Sequence, residues 1–182
     1  MQNTRMAVIC LLATAFFIAV VGTVTEVDPI SLWILSFVDG LPEYAWLRPY
    51  RLPPPANSEF GFRPMSVLMV KLYTYFGGTA NPPTMVTGLK AFFSAWLFGM
   101  ASWRWLRIQG MQNAALPVAC LTMVLSPHLF GLWCLVELDG IGAAAILGVS
   151  ILLAKPEKEW IEWCSLGILI AFAALLKESS AL

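Results

Sequence analysis

Charge is what this sequence has least of. Of 182 residues only 12% are Asp, Glu, Lys or Arg, 59% are hydrophobic, and the mean hydropathy is +0.75. A water-soluble domain of this length needs a charged surface, and so few charges exclude one. The formal net charge is zero, which excludes the basic footprint that nucleic acid requires. Histidine occurs once, as His128, so a multi-histidine metal site is excluded. The cysteines Cys10, Cys120, Cys134 and Cys164 are scattered, mostly inside apolar runs, and form no metal-type pair. Small apolar packing is their expected role. No cofactor and no metal site is expected, although a divalent cation beside a phosphate stays open.

Uninterrupted apolar sequence is what the chain has in abundance. The runs do not alternate with period two, which argues against an outer-membrane barrel, and several reach about 18 residues, the length of a membrane helix. The predicted fold class is all-α: a polytopic membrane protein with about five transmembrane helices in a single membrane domain. The expected spans are 6–24, 84–106, 114–131, 138–154 and 160–176. The first, "MAVICLLATAFFIAVVGTV", has no obvious small-residue cleavage site and reads as an uncleaved helix rather than a signal peptide.

Between the first two spans lies a long loop, 25–83, expected to carry interfacial helices. "PISLWILSFVDGL" reads as a surface helix anchored by Trp33 and Phe37. Pro53, Pro54 and Pro55 exclude helix and impose extended chain. The run from Met65 to Phe76 opens on Arg63-Pro64 and is stopped by Gly77-Gly78. Proline suits a first helical position, but a dozen residues suit an interfacial, re-entrant or buried helix better than a span.

Basic residues orient the chain. With the N-terminus inside, Arg5, then Arg104 and Arg107, then Lys155 and Lys158 all fall on the inner side, as the positive-inside rule requires. Counting 65–76 as a span would invert everything after it. The inner edge then holds only ordinary anchoring charges. The outer edge gathers Glu26, Asp28, Asp39, Arg48, Arg51, Arg63, His128, Glu137, Asp139, Lys177 and Glu178.

Each of these has a bland reading beside a functional one. Arginines are tolerated in a long outer loop; alternatively Arg63 and its neighbours form an anion site, since guanidinium forks bind phosphate bidentately and a helix N-terminus adds positive potential. Asp139 is a helix cap or a functional acid. Lys90, in the outer half of the second span, reads first as a snorkelling lysine. Lys177-Glu178 closes a span or belongs to a site. Cations at the depth of a lipid phosphate, facing carboxylates in the aqueous loop, suit group transfer from a lipid carrier.

Three stretches carry a family likeness: "FRPMSVLMVKLYTYFGGTANPP", "LSPHLFGLWCLVELDGIGAAAILGVSILLA" and "LLKESSAL". In their order and spacing the chain resembles the N-terminal part of C-type glycosyltransferases. These multi-spanning enzymes use polyprenyl-phosphate sugars, and the chain is most similar to protein O-mannosyltransferase relatives and their TPR-containing cousins. The resemblance implies a catalytic carboxylate soon after the first span, at Asp28 or Glu26, with Asp39 in reserve. It implies donor-phosphate or substrate contacts at Arg63, Asp139, His128, Lys177 and Glu178, and the outer-loop Arg51 is a further candidate to hold the phosphate. The family's paired acids are here separated by Val27, and its histidines near the second span are replaced by Met85 and Lys90. The family also has more than five spans, so the chain is expected to be an N-terminal part of a longer enzyme.

The expected function is inverting transfer of a sugar, a hexose such as mannose, from a polyprenyl-phosphate carrier to an acceptor hydroxyl on the non-cytoplasmic face. The expected partners are that donor, a protein, lipid or glycan acceptor, and membrane lipid, with no nucleic acid. The expected location is a bacterial inner membrane with the active face periplasmic. The alternatives are an inactive scaffold that binds lipid phosphate and a transporter subunit; neither a repeat nor a polar stripe at a helix centre favours the latter.

Overall fold

The computed structural model describes residues 4–24, 50–51, 59–60, 75, 84–126, 139–155 and 157–176. The described chain is all-helical apart from one two-residue ladder. Its helices are α1 (Thr4–Val24), α2 (Thr84–Ile108), α3 (Ala115–Leu125), α4 (Asp139–Leu153) and α5 (Trp160–Leu176). The ladder joins β1 (Tyr50–Arg51) to β2 (Glu59–Phe60), antiparallel, with Tyr50 opposite Phe60 and Arg51 opposite Glu59. Strands this short carry no alternation for sequence reading to detect.

Helix α2 is the hub. It packs against α1, α3 and α4, while α4 packs in turn against α5, and α1 also touches α3. Direction follows from named neighbours. Gly88 near the start of α2 abuts Thr23 near the end of α1, Gly99 abuts Leu11, and Thr4 shares a cleft with Arg104 and Arg107. As α2 advances, its neighbours on α1 recede, so the two helices are antiparallel. Gly99 also meets Met123 of α3, which makes α2 and α3 a helical hairpin.

The turn of that hairpin is a Schellman motif. Gly110 takes φ +84°, its N–H donates to the Arg107 carbonyl at 3.1 Å, and the Met111 N–H donates to the Leu106 carbonyl at 3.0 Å. This is the left-handed position that glycine occupies at low cost, and it satisfies two carbonyls at the helix end. Helix α3 stops at Leu125, where a span to 131 was expected; Ser126 is non-helical at φ −118°, ψ 53°. It precedes Pro127 in the sequence, and the residue before a proline is disfavoured in helical conformation. The remainder of that expected span lies outside the described residues.

The interior is built from small side chains. Ala7, Leu11, Ala15 and Ile18 form one stripe of α1, meeting Ala91, Ala95 and Trp103 of α2 and Ala115, Ala119 and Met123 of α3. Spacings of three and four residues keep each set on one helix face. Large apolar side chains point the other way: Phe16 is 64% exposed, Phe17 61%, Trp163 57% and Ile168 70%. Hydroxyls on the helices satisfy themselves. Thr14, Thr23, Thr122, Ser150 and Ser165 each donate to a carbonyl three or four residues back, at 2.7–3.0 Å, the local bond available to Ser and Thr in a helix.

Among the described residues, one helix is long and apolar enough to cross a membrane: the 20 residues Thr4–Thr23 of α1, about 30 Å at the helical rise and equal to a hydrocarbon core. Helix α2 is longer, at 25 residues, but carries Lys90, Arg104 and Arg107. Helices α3, α4 and α5 have 11, 15 and 17 residues, short of the roughly 20 a straight span needs.

Candidate functional site

Most residues singled out from the sequence lie outside the described residues: Glu26, Asp28, Asp39, Arg63, His128, Lys177 and Glu178. Arg51 and Asp139 are described as backbone only, in β1 and at the first position of α4. The helix ends nearest these residues are described. Antiparallel packing brings the end of α1 and the start of α2 to one end of the three-helix unit, while the shorter α3 stops near the level of Gly99, midway along α2. The chain therefore leaves and re-enters this unit at a common end.

Lys90 corrects an expectation. A snorkelling lysine keeps its ammonium in water, whereas Lys90 is only 4% exposed, on the same helix as buried Ser94. Its side chain is enclosed by protein.

At the opposite end, the described residues form an open cleft of about 410 Å³ lined by Thr4, Trp103, Arg104, Arg107, Ile108 and Gln112. Each element contributes for a local reason. Thr4 begins α1. Trp103, Arg104, Arg107 and Ile108 fall on the last turns of α2, and Gln112 comes from the turn that Gly110 closes. The Arg107 guanidinium carbon stands 5.2 Å from the centroid of the Trp103 ring, within cation–π range. Trp103 is 5% exposed, and its indole Nε1–H has no acceptor among the described residues.

The lining contains two guanidinium groups, an amide and a hydroxyl, with no carboxylate. Guanidinium offers five N–H donors in a planar fork, so the arrangement can receive an anion. From sequence, Arg104 and Arg107 are anchoring charges. The partnership of Thr4 with them depends on α1 running antiparallel to α2, which local sequence does not encode, while Gln112 is brought in by the Gly110 turn. The one sequence signal is the dense basic-aromatic ending "WRWLRIQGMQN".

A second polar cluster holds the turn between α4 and α5. Lys155 Nζ donates to both Glu162 carboxylate oxygens at 2.7 and 2.9 Å, and the Glu159 N–H donates to Glu162 at 3.0 Å. Lys158 Nζ donates to the Lys155 carbonyl and stands 5.3 Å from the Trp163 ring centroid. The cluster is exposed and Lys155 is paired with Glu162, as expected for a helix cap. Among the described residues no group of three or more His, Cys, Asp or Glu is placed to hold a metal.

Comparison with protein-family models, curated proteins and solved structures returns no match.

Proposed function

We propose that the chain is a polytopic membrane bundle and belongs to a sugar transferase that uses a polyprenyl-phosphate donor. The membrane part of the reading is supported by the reversed distribution of side chains. Alanine and glycine fill the helix contacts while Phe16, Phe17, Trp163 and Ile168 face outward. Small residues at seams are typical of helices packed in lipid, and outward apolar surface of this extent needs an apolar medium.

The observation that carries the transferase reading is the common end at which α1 stops and α2 starts. The loop bearing Glu26, Asp28, Arg51 and Arg63 is tied to that end by both of its flanking helices, and the segment bearing His128 follows the end of α3. In the proposed reaction an acceptor hydroxyl gives its proton to Asp28 or Glu26. Its oxygen forms the new bond to the anomeric carbon, and the bond from that carbon to the phosphate oxygen breaks. Arg63, Arg51 and Lys177 hold the departing polyprenyl phosphate, with Asp139, Glu178 and His128 as further substrate contacts. This face is non-cytoplasmic, periplasmic in a bacterial inner membrane.

The test is Asp28→Asn in the enzyme expressed from its complete reading frame. Transfer of labelled hexose from polyprenyl phosphate is lost while the amount of protein in membranes is unchanged. Wild-type transfer by that variant removes Asp28 as the base. Carrier binding without transfer by the parent enzyme supports the scaffold reading instead.

A further inference from the structure

We infer that the cleft between the start of α1 and the end of α2 binds the phosphate of an anionic phospholipid headgroup. The site is distinct from the proposed transfer site and lies at the other end of the helices. The inference rests on the membrane reading and not on sugar transfer.

The lining chemistry is one-sided. Arg104, Arg107, Gln112 and Thr4 supply donors from three separate elements, and no acid among the lining residues competes for them. Two arginine forks match the oxygens of a phosphate better than any neutral headgroup. The backbone adds to the attraction. The starts of α1 and α3 both lie at this end, and helix N-termini carry positive partial charge. The C-terminus of α2, which also lies there, is offset by Arg107 in its last turn and by the capping turn at Gly110.

Size and surroundings select the ligand. A cleft of about 410 Å³ falls within the ~300–1,000 Å³ of small-molecule sites. The Trp103 ring is 5% exposed and lies beside Arg107, so it offers no open face on which a nucleotide base could stack. Exposed apolar residues flank the lining: Ile108 is 46% exposed, Met111 43% and Met6 56%. Acyl chains can lie along these while the phosphate sits between the arginines. Basic pockets at the ends of membrane helices select anionic headgroups in this way.

The experiment uses the full chain reconstituted into phosphatidylglycerol or phosphatidylcholine vesicles, read by amide hydrogen exchange. Membrane insertion, scored by resistance to alkaline extraction, is expected in both. Protection of residues 103–112 is expected only with phosphatidylglycerol. In detergent, the wild type retains phosphatidylglycerol over phosphatidylcholine in native mass spectrometry, and Arg104→Gln with Arg107→Gln lowers that retention by about tenfold or more. Arg107→Lys, which keeps the charge and loses the fork, gives an intermediate loss. Millimolar inorganic phosphate leaves retention unchanged if the lipid is the ligand; displacement by phosphate overturns the lipid assignment in favour of a free phosphate. Equal protection in both vesicles overturns the site while leaving the membrane reading intact. Failure to insert in either overturns both. The exchange measurement needs no variant and decides the question even if the double substitution does not fold.

Discussion

The backbone of Gly99 abuts the sulfur of Met123 so closely that a Cβ at position 99 would overlap it and stand only 3.2 Å from Leu11 Cδ2. Three helices meet at one glycine. Alanine there gains roughly 1 kcal/mol of helix propensity, but overpacking costs about 1–3 kcal/mol, and Met123 and Leu11 are both fully buried. Gly99→Ala is therefore expected to lower thermal stability in detergent. Met123→Ala alone costs about 2–5 kcal/mol. The double variant loses less than the sum of the two, with a coupling of about 0.5–3 kcal/mol. Strict additivity would show that the contact is not made.

Three other helical glycines, Gly88, Gly148 and Gly167, are expected to rank by what lies opposite. A Cβ at Gly88 would meet the methyl of Thr23, a β-branched residue whose hydroxyl already donates to the Val20 carbonyl at 2.7 Å. A Cβ at Gly148 would meet only the tip of Leu169 at 3.3 Å, and one at Gly167 nothing within 4 Å. Gly88→Ala should destabilise, Gly148→Ala should be near neutral, and Gly167→Ala should stabilise by up to ~1 kcal/mol. Melting temperatures of the three variants in one detergent check the order.

Glu162 closes the start of α5 by accepting from both Glu159 N–H and Lys155. Glu162→Ala removes both bonds and should raise hydrogen exchange in the first turn of α5. Glu162→Gln keeps a backbone acceptor and should fall between. High salt should narrow the difference between wild type and Gln, because the ion pair is exposed. An unchanged exchange rate in the alanine variant would show that α5 starts without this cap.

Orientation is checked by single cysteines in a cysteine-free background. Gln112→Cys lies at the end that holds Arg104 and Arg107, and Asn57→Cys lies in the long loop. A membrane-impermeant thiol reagent applied to one side should label one and spare the other. Labelling of both from the same side would contradict the two-ended layout.

How much of this was legible in the sequence differs by element. Apolar runs mark α1, α2, α4 and α5 because periodicity and composition are local properties, and Gly110 marks the end of α2 because left-handed backbone favours glycine. The stop at Leu125 is written in Pro127, although the apolar run beyond it masks the signal. The enclosure of Lys90 and the cleft at Arg104 and Arg107 depend on which helix lies alongside. Residue 4 is far in the chain from residues 103–112, and nothing at either place announces the other. Reading Arg104 and Arg107 as anchors is silent about their shared cleft.

The alanine and glycine seams between α1, α2 and α3 limit how this protein can be handled. Decorating Phe16, Phe17 and Ile168 with lysine and glutamate would dissolve the chain without giving it a reason to stay together in water. An alanine methyl has little area to hide, and water rewards hidden area. The cohesion of these helices is a matter of near-touching backbones, so a soluble derivative must be rebuilt from its centre outward.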